Sequence, residues 1–195
     1  MSDSNTLRVA IIGAGPAGLM AAETLSLAGV QVDIYDAMPS AGRKFLLAGI
    51  GGLNITHSEP YNTFCSRYGD RQAQLQPILD RLPPSALRSW ASGLGIETFV
   101  GSSGRVFPSG MKAAPLLRAW LHRLRSSGVR IHVRHRWLGW NSDGGLRLNN
   151  TGGEISIKPE ATILALGGAS WPKLGSDGAW VSLLEGVGVD VAPLQ

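Results

Sequence analysis

The chain has 195 residues, a length that suits one domain or one and a half. Its 44% hydrophobic and 16% charged residues are those of a globular protein and exclude a disordered one. A formal charge of +4 suits an anionic ligand without pointing to nucleic acid, and a lone cysteine, Cys65, excludes an internal disulfide and favours a reducing cytoplasm.

Residues 7–12 form a short apolar run that predicts a strand buried on both faces of a parallel sheet. The surrounding apolar stretch, residues 7–30, is interrupted by glycines, Arg8, Pro16 and Glu23 and lacks a basic leader, so neither a signal peptide nor a membrane span is expected. After glycines at 13–18, an alanine- and leucine-rich helix is predicted over 19–28, stopped by Gly29, and a second strand over 31–35, closed by Asp36. Residues 39–60 read as a long ordered loop. Helices are predicted over 72–82 and 85–93, separated by Pro83-Pro84, and a small hairpin over 97–100 and 105–107. A further helix is predicted over 115–126. Residues 129–133, 137–140, 146–148 and 154–157 read as an antiparallel meander, and 162–166 as one more core strand running into Gly167 and Gly168.

Gly13-Ala14-Gly15-Pro16-Ala17-Gly18 matches the G-x-G-x-x-G pattern between a strand and a helix. Gly13 permits the sharp exit from the strand, Gly15 lets a diphosphate approach the backbone, and Gly18 lets the helix pack on the strand. The unpaired N–H groups and the dipole at the helix start favour an anion there, and Pro16 falls where a missing donor matters least. Asp36 lies 18 residues past Gly18, close to the spacing expected of a carboxylate that accepts from ribose hydroxyls, and its charge disfavours a 2′-phosphate.

The residues after Asp36 narrow the ligand. The stretch 37–44, ending in Gly42-Arg43-Lys44, resembles the segment that follows the ribose acid in two-dinucleotide flavoproteins, and Arg43 suits bidentate contact with phosphate. Residues 42–49, the run Gly51-Gly52-Leu53-Asn54-Ile55-Thr56-His57, the pair Arg105-Val106-Phe107-Pro108 and Met111-Lys112-Ala113-Ala114, and the segment from Gly167 to Gly178 are together similar to the motifs of the BaiN-like bacterial flavoproteins. This resemblance, spread over essentially the whole chain, implies an α/β fold: a Rossmann-type FAD-binding domain with a parallel sheet and a small antiparallel meander, incomplete at its C-terminus. In those terms residues 1–195 are the amino-terminal part of the FAD domain: βαβ 7–36, a flavin-side loop 37–60, a helical segment 61–126, a meander 129–157 and a core strand with its glycine motif over 161–178. The family's insert domain and C-terminal FAD segment are not expected within it. Two departures stand out. Leu53-Asn54 replaces the Arg-Cys-Asn of many members, and Ala165-Leu166-Gly167 replaces the usual Ala-Thr-Gly, which removes a hydroxyl.

The resemblance implies FAD as cofactor, held by Gly13, Gly15, Pro16, Ala17, Gly18, Asp36, Arg43, Lys44, Asn54, Trp137, Ala165 and Gly167. Lys44 and Asn54 are candidates for the flavin edge, and Trp137 for a main-chain contact with the adenine. His57, Arg105 and Lys112 are weaker candidates, each balanced by an ordinary surface role. No pair of residues here has the makings of an acid–base or nucleophile dyad, as expected where the cofactor carries the chemistry. The basic run from Arg118 to Arg136 alternates with leucines and reads as a solvated face more readily than as a nucleic-acid surface. The expected function is hydride transfer through flavin N5 on a small-molecule substrate, with NAD(P)H as donor. A flavin amine oxidase using O2, an RNA-associated flavoprotein module and a non-catalytic FAD-binding fragment remain open beside it.

Overall fold

The computed structural model describes residues 7–194. In chain order its elements are strand β1 (Arg8–Ile12), helix α1 (Pro16–Leu27), β2 (Gln31–Asp36), α2 (Arg43–Ala48), β3 (Thr56–His57), α3 (Tyr61–Ser66), α4 (Gln72–Leu79), α5 (Pro84–Gly93), β4 (Thr98–Val100), β5 (Arg105–Pro108), α6 (Ala113–Ser126), β6 (Arg130–Val133), β7 (Arg136–Trp140), β8 (Leu146–Asn150), β9 (Gly153–Ile157), β10 (Ala161–Leu164) and α7 (Trp180–Glu185). Two compact units emerge: the residues up to Phe45 together with those from His122 onward, and Leu46–Leu121.

The first unit is built on a four-stranded parallel sheet in the order β10-β1-β2-β6. Ile12 lies beside both Tyr35 and Leu164, so the carboxyl ends of the central strands are level. Helix α1 starts with Pro16 in its first turn, buries Leu19 and Ala22, and ends where Gly29 takes a φ of 77° that a side chain would disfavour. The antiparallel sheet β7-β8-β9 contributes Trp137, Leu146 and Leu148 to a core shared with Ala10, Ile12 and Tyr35. The second unit holds the three-stranded sheet β3-β5-β4 with α3, α4 and α5, and buries Cys65, Ala91 and Val106 completely.

Two expectations are corrected. Residues 130–133 do not belong to the meander: β6 pairs in parallel with β2, Asp33 beside Arg130 and Asp36 beside Val133. The alternation of Arg130, Ile131, His132 and Val133 reads as a half-exposed strand because β6 is the edge of the sheet. The stretch 39–60 is not all loop, since it contains α2 and the short strand β3. A helix also occupies Tyr61–Ser66, where the sequence lacks a long apolar period.

Candidate functional site

The parallel-sheet unit contains a cavity of about 220 Å³ at the carboxyl ends of its strands, the place where open α/β sheets receive ligands. Its walls are the turn from Gly13 to Ala17, the exit of β2 from Asp36 to Met38, Arg43 and Lys44, the start of β7, residues 165–167, and the segment from Leu174 to Trp180.

The three glycines of the turn have different reasons to be glycine. Gly13 has a φ of 111°, and a Cβ there would strike the carbonyl of Ala165. A Cβ on Gly18 would strike the carbonyl of Gly13 and come within 3.3 Å of Ile11 Cγ2. Both are demanded by the protein's own packing. Gly15 is extended, at φ −78° and ψ 179°, and a Cβ there would meet nothing within 4 Å. Among the described residues nothing requires a glycine at 15, and the space beside it is open to a ligand.

Donors point to the same guest. α1 has no side-chain N-cap, so the first N–H groups of the helix are left for an external acceptor. Arg43 Nε, Trp137 Nε1 and Trp180 Nε1 are buried with no hydrogen-bond partner among the described residues, and all three residues line this cavity. Leaving a buried donor unmade costs about 1–3 kcal/mol. A ligand rich in acceptors would relieve that cost, and an FAD diphosphate with its adenosine is such a ligand. Three cations, Arg43, Lys44 and Arg136, stand against two carboxylates, Asp36 and Asp177, which leaves an excess of positive charge for a diphosphate.

Asp36 faces the turn. Its Oδ2 accepts from Ala14 N–H at 2.6 Å and its Oδ1 from Met38 N–H at 2.8 Å, which leaves one acceptor position on each oxygen for a sugar hydroxyl. Lys44 Nζ donates to Ser170 Oγ at 2.9 Å. Ala165 N–H continues the β1 ladder by bonding to Ile12 O at 2.8 Å, and Gly167 takes a φ of 72°. Leu166, where the family's threonine would stand, packs instead against the core cluster and lines the cavity with carbon. Trp137 is 6% exposed and packs its indole in the core, while β7 is the edge of its sheet and so has a row of peptide groups without a strand partner.

Asn54 lies in the Leu46–Leu121 unit and does not line this cavity. Its Nδ2 donates to Thr56 O at 2.8 Å and Val106 O at 3.2 Å, a staple between β3 and β5. His57 is held by Ser103 O at 3.0 Å on Nε2 and by Glu59 N–H at 3.2 Å on Nδ1, an arrangement that suits the neutral Nε2–H tautomer. Arg105 and Lys112 are exposed, and Cys65 is buried within α3. Among the described residues no group of histidine, cysteine, aspartate and glutamate could hold a metal, and no helix is long and apolar enough to cross a membrane.

Much of the basic run is internally paired. Arg123 bonds Glu23 at 2.8 Å. Arg130 grips Asp33 through Nε at 2.8 Å and Nη2 at 2.5 Å, and His132 meets the same carboxylate at 2.7 Å. Burial pushes Asp33 up, but the hydrogen bonds from Arg130 and His132 outweigh it and hold the carboxyl below its ordinary 3.8. His135 presents Nδ1 to Val133 O at 2.8 Å and accepts from Asn150 Nδ2 at 3.1 Å, so it too suits a neutral ring. Sequence reasoning missed His135, Arg136, Asp177 and Trp180 as lining residues; Asp177 was visible only as part of the glycine-rich motif that ends at Gly178.

The parallel sheet, the glycine turn and the acid that closes β2 define a Rossmann-type domain. The chain belongs to the HI0933-like protein family, whose Rossmann domain matches residues 7–194, in keeping with the BaiN-like motifs of the sequence. It is 27% identical over 194 residues to the 3-dehydro-bile acid Δ4,6-reductase of Clostridium scindens, covering 96% of this chain and 45% of that protein, so the chain spans less than half of that relative's length. Among solved structures it resembles a flavocytochrome c3 fumarate reductase in its open conformation, with a TM-score of 0.71, 19% identity, and coverage of 96% of this chain and 41% of that one. It also resembles the 3-ketosteroid-Δ4-(5α)-dehydrogenase of Rhodococcus jostii RHA1, with a TM-score of 0.66, 16% identity, and coverage of 97% and 56%. These structural likenesses concern the fold.

Proposed function

We propose that this chain is the part of an FAD-dependent oxidoreductase that holds the ADP half of the cofactor. The observation that carries the reading is the contrast within the turn: Gly13 and Gly18 are required by packing, whereas Gly15 faces space that the chain leaves open. In this reading the backbone at Gly15 and the start of α1 receive the diphosphate, Arg43 offsets its charge, Asp36 accepts from the ribose, and the β7 edge at Trp137 meets the adenine. Lys44, Ala165 and Gly167 close the same crevice.

When bound, FAD supplies hydride transfer at its N5 atom, and the protein's part is to bind and orient it. NAD(P)H as donor, a small-molecule substrate and a cytoplasmic setting complete the proposal. A reductase as relative supports this direction of electron flow, since a reductase consumes an external donor.

The test is the absorption spectrum of the purified protein, followed by acid release and chromatography of any flavin. Bands of oxidised flavin and release of FAD are expected. Release of FMN alone, or a colourless protein that fails to take up added FAD, would overturn the reading. Anaerobic bleaching of the flavin by NADH or NADPH supports the proposed donor, whereas bleaching by an amine alone with rapid recovery in air would replace it with an oxidase.

A further inference from the structure

Nearer the amino end of β1, the parallel-sheet unit holds a second cavity, of about 160 Å³, which shares no lining residue with the crevice at the carboxyl ends. Its walls include Arg8 and Ala10 of β1, Asp33 and Tyr35 of β2, and residues 157–159, which lead from β9 into β10.

Tyr35 is 7% exposed, and its hydroxyl makes no hydrogen bond among the described residues. Its ring is held by stacking on His132, with centroids 4.6 Å apart and planes 12° from parallel. The hydroxyl lies within the fields of Asp33, Arg8 and Arg130, which puts it at this cavity and away from the crevice. Burial first, and then the charge of Asp33, raise its pKa above the ordinary 10.0, so it stays protonated and keeps its donor. A buried donor left unmade costs stability, and here it stands beside open space.

The rest of the lining also offers donors. Arg8 and Lys158 bring two positive charges against the one negative charge of Asp33. That carboxylate is already taken: Arg130, outside the cavity, grips both of its oxygens, and His132 meets Oδ1. Arg8 Nη2 stands 3.8 Å from Asp33 Oδ2, and Lys158 Nζ 3.9 Å from Asp143 Oδ2, both longer than hydrogen bonds. Asp143 is exposed, so water screens its charge. Glu160, also exposed, accepts from the main-chain N–H of Arg8 at 3.0 Å. What is missing from this cavity is an acceptor with negative charge, in a space that admits only a small one.

We propose that the second cavity is a binding site for a small oxyanion such as inorganic phosphate, with the Tyr35 hydroxyl donating to it and Arg8 and Lys158 neutralising its charge. The proposal does not depend on what fills the crevice.

The experiment is calorimetric titration of the full chain with inorganic phosphate and, separately, with acetate, in the presence of excess ADP to occupy the crevice. Binding of phosphate in roughly the millimolar range or tighter is expected. Acetate tells which oxyanion is preferred, and binding of either supports the site provided Tyr35→Phe weakens it. Tyr35→Phe keeps the ring on His132 and removes only the hydroxyl, and it should weaken binding roughly tenfold. Arg8→Gln should weaken binding by a similar factor, and serves alone if Tyr35→Phe does not fold. A native protein that takes up neither anion, or unchanged affinity in the folded variants, would overturn the proposal. So would binding that is lost in Arg43→Gln, since Arg43 lines only the crevice and that loss would place the anion there.

Discussion

Among the described residues of the parallel-sheet unit, three side chains that line one cavity hold buried donors without a hydrogen-bond partner, while in the Leu46–Leu121 unit several polar side chains bond within the unit. There Asn54 staples two carbonyls, Glu59 takes both of its oxygens to Arg67 Nε at 2.6 and 2.8 Å, Tyr61 donates to Asp80, and Arg88 Nε meets Thr98 Oγ1 at 3.1 Å. The hydrogen bond from Arg67 holds the Glu59 carboxyl below its ordinary range, and the bond to Asp80 pushes the Tyr61 hydroxyl up. Ionisable residues are spread at similar density over the two units, so their number does not distinguish them. By unmet hydrogen-bonding capacity the first is the one prepared for a guest, and that is the more informative measure because buried polar groups without partners are rare.

Four substitutions test this comparison. The largest effect is expected of Gly18→Ala, whose Cβ meets main chain: about 3 kcal/mol or more of stability should be lost, read from urea denaturation. Gly15→Val should do the reverse. Stability should stay within about 1 kcal/mol, since the residue is extended and the space is open. ADP affinity, however, should fall roughly 100-fold or more, close to 2.7 kcal/mol in calorimetry. A Gly15→Val protein that binds normally would erase the distinction between the glycines.

Asp33→Asn is a control within the same unit, at a carboxylate that is only 5% exposed but fully partnered and outside the crevice. It should cost about 1–2 kcal/mol at pH 7 without weakening ADP. Because the folded Asp33 titrates below 3.8, its contribution is complete above about pH 5 and fades as the pH falls through the folded value. Denaturation curves of the two proteins should therefore converge in strong acid, and a gap that widens there would contradict the ion-pair account. The smallest effect is expected of Asn54→Ala, about 1 kcal/mol of stability with ADP affinity unchanged, again by denaturation and calorimetry.

The turn and Asp36 were legible in the sequence because their geometry is local: strand, glycines, helix and closing acid follow within thirty residues of one another. What was not legible depends on distant partners. Arg130–Val133 carries no sign of whether it joins a meander or a parallel sheet, since an edge strand alternates in either setting. The cavity wall brings Asp177 beside Arg136, 41 positions apart, and no spacing rule links them. The differing reasons for three glycines in six residues could not be read either, because a letter does not reveal which carbonyl stands where its Cβ would be.

Asp36 gives the crevice a further property. Its two oxygens already bind the main chain on either side, at Ala14 and at Met38, so the carboxylate that we propose faces the ribose is fixed when the chain folds and needs no induced fit. Amide exchange at Ala14 and Met38 should consequently be slow in the ligand-free protein and little slower once a dinucleotide arrives, with any fresh protection concentrated at the open first turn of α1.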